Sequence, residues 1–246
     1  MKTYERISAI LIAGAILATP TLDAQQPPAQ GGGAQDHVAA LKQSMQQGQA
    51  LIRKYEWIET TIISLKGEEK GRKQNRCYYG VDGKVQKVPL DQPPAEQAQG
   101  GGGGRRGGRL KQQVIENKKD EMQEYMQRAA ALIHQYVPPN PAQIQTAKDA
   151  GRIAMNPQPG GRVHLAISQY LLAGDSLTID LDTAANRVLG LGVNSYLDKP
   201  DDPVTMAVQM SALPDGAIYA SQTTLDAKAK NIRVVIQNSG HRPVSQ

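Results

Sequence analysis

The sequence predicts an α+β fold: a curved antiparallel β-sheet, in the form of an incomplete barrel, covered by two or three helices. Three observations predict it. The last third of the chain, Arg162 to Val244, alternates apolar and polar residues in run after run, with short turns between the runs. Two upstream segments repeat apolar residues at helical spacing. Between them stand a β-branched run and an Asp-Gly hairpin, so strands come from both halves of the chain.

The C-terminal runs have the plainest period. Val163, Leu165 and Ile167 point one way, and His164, Ala166 and Ser168 the other. Leu177, Ile179 and Leu181 oppose Thr178, Asp180 and Asp182. Leu189, Leu191 and Val193 alternate with Gly190, Gly192 and Asn194. Val204, Met206, Val208 and Met210 alternate with Thr205, Ala207 and Gln209, and Ile232, Val234 and Ile236 form the last apolar set. Strand side chains alternate faces, so each run specifies a sheet wet on one side. Parallel strands would instead read as unbroken apolar runs with helices between them. The connections are turn-like, Leu213-Pro-Asp-Gly216 most clearly: proline fixes φ and glycine supplies a positive one. An antiparallel meander is the expectation. Gly190 and Gly192 share a face of one strand, which marks strong curvature, an overlying helix, or simply two tolerated surface glycines.

Lys2 and Arg6 precede an uncharged apolar run, Ile7 to Ala18, and small residues around Ala24. This is the pattern of a signal peptide over 1–24 and predicts export. The apolar run is too short for a comfortable membrane span. The predicted leader carries two charges of each sign, so the net charge of +5 is unchanged without it. That mild basicity favours anionic surfaces only weakly. Cys77 is the only cysteine, so no internal disulfide can form, and it reads as a small buried hydrophobe. Phenylalanine is absent and tryptophan occurs once, so the core must be aliphatic with Met and Tyr filling gaps.

Residues 25–35, rich in Gln, Pro and Gly, predict a disordered leader. A single domain is expected over 36–246. It opens with a helix from Asp36, whose Val38, Leu41, Met45, Leu51, Ile52 and Tyr55 form a stripe. A strand follows over about Tyr55 to Leu65, then a hairpin turning at Asp82-Gly83. Residues 91–113 hold Pro93-Pro94, five glycines from Gly100, and Arg105, Arg106 and Arg109. Glycine this dense cannot offset its ordering entropy, so a disordered insertion is expected there. Its arginine-glycine portion superficially matches an RNA-binding segment, but an exported address argues against nucleic acid. It reads as an inert insertion, or as a cationic loop whose three arginines touch anionic head groups at a membrane surface. Val114 to Tyr136 predicts a helix with Met122, Tyr125, Met126, Ala129, Leu132, Ile133 and Tyr136 on one stripe. Asn140 caps a second helix with Pro141 at its first position, running to about Arg152. Asn156 to Gly161 reads as a turn-rich approach to the sheet.

No catalytic constellation emerges. The four histidines are dispersed and form no metal-ligand motif. His164 falls on the polar face of its strand. Asp180 and Asp182 share a face but lack further ligands at fixed spacing, and read as surface acids. Gly190-Leu-Gly192 has no third glycine and no following helix, so the dinucleotide fingerprint fails. No serine sits in a nucleophile elbow. Neither enzyme nor cofactor nor metal is expected.

Three local stretches, YEWIETTII, CYYGVDGKVQKVPL and SLTIDLDTAANRVLGLGVNSY, together with the order of elements, carry a resemblance. Over about Asp36 to Pro243 the chain resembles the LolA-like superfamily of periplasmic lipoprotein carriers, lipid-binding lipoproteins and envelope-stress sensor domains. The resemblance implies a half-barrel around an apolar concavity, plugged by helices that lipid chains displace. Leu189, Leu191, Val193, Val204, Met206, Val208, Met210, Ile232, Val234 and Ile236 are the residues expected to line it. Plain core packing is the alternative for the same row. The expected function is non-enzymatic binding of lipid or lipoprotein acyl chains. The alternative is an envelope sensor or interaction domain that recognises a protein partner.

Overall fold

The computed structural model describes residues 43–44, 46–90 and 107–244, with backbone alone over 107–119. The expected signal peptide, the leader, Arg105 and Arg106 lie outside the described residues. Residues 46–52 form α1, part of the helix expected from Asp36. There follow β1 (Tyr55–Leu65), β2 (Glu68–Tyr79), β3 (Val85–Pro89), α2 (Gly107–Ile133) and α3 (Pro141–Asp149). The chain then lays down β4 (Ile153–Gln158), β5 (Arg162–Ser168), β6 (Ser176–Asp182), β7 (Arg187–Tyr196), β8 (Pro203–Ala212), β9 (Ile218–Ala227) and β10 (Ile232–Pro243).

All ten strands form one antiparallel sheet, in the order β3-β2-β1-β10-β9-β8-β7-β6-β5-β4. Two meanders meet where β10 pairs with β1, Ile63 opposite Val234 and Thr61 opposite Ile236. The sheet is therefore unclosed, with β3 and β4 as its edges, as the half-barrel expectation requires. Four register shifts, at Glu56/Ile58, Ile63/Ser64, Asp180/Leu181 and Gln209/Met210, bend the strands. Gly190 and Gly192 add to the bend. A Cβ on Gly192 would lie 2.4 Å from Thr178 Oγ1, and one on Gly190 would lie 2.9 Å from the Val208 carbonyl. Of the readings open at these positions, close approach along the curved sheet is the one observed.

The turns follow local chemistry. Lys66 and Gly67 both take positive φ, 55° and 84°, the twist a two-residue hairpin needs. Asp82 Oδ1 accepts from the Lys84 amide at 3.0 Å, and Gly83 sits at φ 72°, so the expected hairpin forms there. Asn140 caps α3 through its side chain, which accepts from the Ala142 amide at 2.9 Å, with Pro141 at the first position.

Three expectations change. The long helix begins at Gly107, seven residues before Val114, so Arg109 belongs to α2 and the 91–113 segment is not wholly unstructured. Asn156 to Gly161 is not all turn, because β4 runs to Gln158 and contains Pro157. A proline forfeits one ladder hydrogen bond, which an edge strand tolerates on its open side. Leu189 does not share a face with Leu191 and Val193. The bulge pairs Asp180 with Gly190 but Leu181 with Val188, so Leu189 is the extra residue and Val188 is buried instead.

Gly192→Val should lower stability by about 1–3 kcal/mol in thermal or denaturant unfolding, through overpacking against Thr178. Thr178→Ala in the same chain should recover most of that loss. The same pairing should not rescue Gly190→Val, whose clash is with backbone.

Candidate functional site

The candidate site is the inner face of the sheet and the helix that covers it. The apolar row on that face is contributed by seven strands: Ile63, Leu177, Val193, Met206, Leu225, Val234 and Ile167 are all buried. Against them α2 and the turn after it set Tyr125, Met126, Ala129, Leu132, Ile133 and Tyr136. Of the expected lining residues, Val193, Val204, Met206, Val208, Ile232, Val234 and Ile236 lie in this cluster, and Leu191 and Met210 pack at its margin. Leu189 does not belong to it. The face is thus filled by α2 as it stands.

The cover is held by two kinds of contact. At its C-terminal end the anchor is buried. Tyr136 is fully enclosed, and its hydroxyl donates to Asp175 Oδ2 at 2.5 Å and meets Ser195 Oγ at 2.7 Å. Asp175, itself 2% exposed, also accepts from the backbone amides of Tyr170, Leu171 and Leu172 at 2.6, 3.0 and 2.7 Å. A buried carboxylate needs such donors, and here the 169–175 loop folds around its own acid to supply three. Burial, and secondly the bond to Asp175, push the Tyr136 phenol well above its ordinary value, so it stays a donor.

Further along α2 the contacts are rim contacts. Tyr125 donates to Asp202 at 2.5 Å, Lys230 meets Glu121 at 3.1 Å, and Arg128 pairs with Asp198. The two ion pairs are largely exposed. Pairs of that kind contribute about 0–1 kcal/mol each. The polar contacts of the helix are therefore strong at one end and weak along its length, where its buried apolar side chains do the holding.

Beyond the aliphatic row the inner face changes character. Trp57 stacks on His241 with centroids 6.0 Å apart and leans on Tyr79 at 5.7 Å, while His241 meets Tyr219 at 4.0 Å. Trp57 Nε1 donates to Asn238 at 3.0 Å. Between this aromatic end and the aliphatic row lies a polar belt. Glu59, 4% exposed, takes the Lys87 ammonium on both oxygens, at 2.8 and 2.7 Å, and Asn75 Nδ2 at 3.4 Å. Cys77 is enclosed beside it. Burial, and then the charge of Glu59, push its thiol up to about 12, so it is not a nucleophile at neutral pH.

Other polar residues are accounted for on the outer face. His164 Nδ1 lies 2.6 Å from Asp180 Oδ1. Asp182 instead receives the Ala185 amide at 2.9 Å and lies 3.5 Å from Arg187, so the two aspartates do separate things. Glu56 joins Arg76 at 3.8 Å and Arg242 at the mouth of a recess of about 480 Å³. Among the described residues no group of three His, Cys, Asp or Glu is placed to hold a metal, and no helix is long and apolar enough to cross a membrane. Arg109 falls where only backbone is described.

No family model and no curated protein matches the chain. Among solved structures it is similar to LolA superfamily protein NE2245 from Nitrosomonas europaea, at 5% identity and TM-score 0.36, over 84% of this chain and 94% of that one. It is also similar to a DUF1329 family protein from Desulfovibrio piger, at 13% identity and TM-score 0.36, over 84% and 92%. MucB in complex with MucA(peri) matches at 11% identity and TM-score 0.20, over 87% and 100%. The first of these belongs to the superfamily that the sequence resembles.

Two outcomes follow from these contacts. Tyr136→Phe leaves Asp175 and Ser195 short of a buried partner, so it should cost about 1–3 kcal/mol in equilibrium unfolding, whereas Tyr125→Phe, beside half-exposed Asp202, should cost about 1 kcal/mol or less. Burial holds His241 below its ordinary value of 6.5. The folded chain then binds fewer protons than the unfolded one just below pH 6.5, so stability should fall as pH drops through that value, and His241→Gln should flatten the slope.

Proposed function

We propose that the protein is an exported, non-enzymatic binding protein that holds an apolar chain, from a lipid or a lipidated protein, on the inner face of its sheet. One observation carries this reading. A continuous aliphatic face is covered by α2, with Ala147 of α3 beside it, and the polar contacts that hold α2 are exposed or half-exposed except at Tyr136, in the turn that follows it. Apolar binding sites are concave surfaces of this composition. An acyl chain makes the same kind of contact with Met206, Val208 and Ile236 as α2 does, so exchanging one for the other changes little in burial. Met206 and Met210 are unbranched and polarizable, and adapt to differently shaped guests. The strands stay paired throughout, and only the helix gives way. Export is read from the basic, apolar and small-residue pattern of residues 1–24. The arginines 105, 106 and 109 are proposed to bring the protein to anionic head groups.

A second reading has its own observation. The β2–β3 hairpin exposes Val81, Val88 and Leu90 at the open edge of the sheet, a place where a partner protein's strand can add.

The two readings separate on purified protein. Extraction and mass spectrometry should recover lipid from the wild type, and Met206→Arg or Val208→Asp should empty it. Equal lipid in wild type and both folded variants would reject the inner face as the site. Replacing Arg105, Arg106 and Arg109 with Gln should weaken binding to anionic vesicles at low salt.

A further inference from the structure

Among the described residues, the polar belt on the inner face makes its hydrogen bonds within the sheet. Its members come from adjacent strands in register: Glu59 of β1 lies opposite Asn75 of β2 on one side and Asn238 of β10 on the other. Two residues along β1, Thr61 lies opposite Ile236, which in turn lies opposite Thr223. Lys87 reaches in from the edge strand. Glu59, Thr61, Asn75 and Thr223 are all buried, between an aliphatic and an aromatic part of the face. A buried ion pair gives no stability advantage over apolar residues of the same size. The folding of the sheet therefore does not call for this belt.

One atom points to a ligand. Thr61 is 2% exposed, and its Oγ1 is buried without a hydrogen-bond partner among the described residues. Valine would fill the same space at no such cost. Read along the strands, the inner face runs aliphatic, then polar, then aromatic. That is the profile of a surface built for a molecule with an oily chain and a polar end.

Resting on the reading above, we propose that the belt is a head-group site that receives an uncharged, hydrogen-bonding group: the hydroxyl, ester or amide end of an acylated molecule. Glu59 and Lys87 neutralise each other within hydrogen-bond distance. An anionic group placed there meets Glu59 in a water-poor setting, and a cationic one meets Lys87. A neutral group meets neither penalty. The Thr61 hydroxyl, the remaining N–H groups of Lys87 and Asn75, and Thr223 offer both donors and acceptors to it. Lys73, opposite Thr61 in the register, is partly exposed, so water screens its charge.

Diacylglycerol and phosphatidylglycerol of the same acyl composition, offered in equal amounts, distinguish the chemistry. Wild-type protein should retain diacylglycerol about ten-fold over phosphatidylglycerol by extraction and mass spectrometry. Glu59→Gln leaves Lys87 without its counter-charge and should reverse the preference. Glu59→Gln with Lys87→Gln restores a neutral belt and should restore the preference. Thr61→Val should raise the melting temperature of the lipid-free protein, because it removes an unpartnered buried hydroxyl, while lowering diacylglycerol retention several-fold. Both lipids retained equally by wild type and all folded variants would overturn the head-group site and leave the apolar face standing. Neither lipid retained by the wild type would overturn both.

Discussion

An open sheet with one oily side has to be covered, and the placement of the helices answers to that constraint. Closure into a barrel would have hidden the aliphatic row without help. Here the edges, β3 and β4, stay apart, so α2 and α3, from the crossover between the two meanders, do the covering. That places a heavy demand on a single junction. The chain must leave the helix and turn back into the sheet at a fixed point, or the helix would slide. Asp175 sets that point. Its carboxylate gathers three backbone amides of its own loop and the Tyr136 phenol, and ties the end of α2 to β6 and β7.

The distribution of strength along α2 is what separates a cover from a core helix. The buried anchor is costly to disturb, since removing one partner strands the other in a dry environment. The rim pairs at Asp198, Asp202 and Lys230 sit in or near water, which replaces them at small cost. The polar contacts of α2 are thus buried at its C-terminal end and exposed or half-exposed toward its middle. The sheet beneath is the rigid partner, curved by its bulges and by the close strand approach at Gly190 and Gly192.

Much of this architecture was legible in the alternation alone. Val204 to Met210 and Ile232 to Ile236 repeat every second residue over strands long enough to fix their faces, and the structure buries the same sides. The misses have physical causes. Leu189 sits beside Val188, two apolar neighbours that a period of two cannot order, and only the bulge decides between them. β4 carries Pro157 and Asn156, residues that break a central strand but not an edge. Asp175 looks in sequence like any turn aspartate after Ala-Gly, and its burial is set by Tyr136, 39 residues away. Glu59 and Lys87 are separated by 28 residues and meet across an intervening strand, so no local pattern announces the belt.

The claim on which the account turns is that α2 gives way to an apolar chain while the sheet stays whole. Pulsed electron spin resonance addresses it with labels at Gln127 on α2 and Lys199 on the facing loop, both exposed, in a Cys77→Ala background. Lipid-free protein should give one short distance, and lipid-loaded protein a second, longer population that grows with loading. A single short distance in protein shown by extraction to carry lipid would contradict the account, because the chain would then be bound somewhere the helix does not cover.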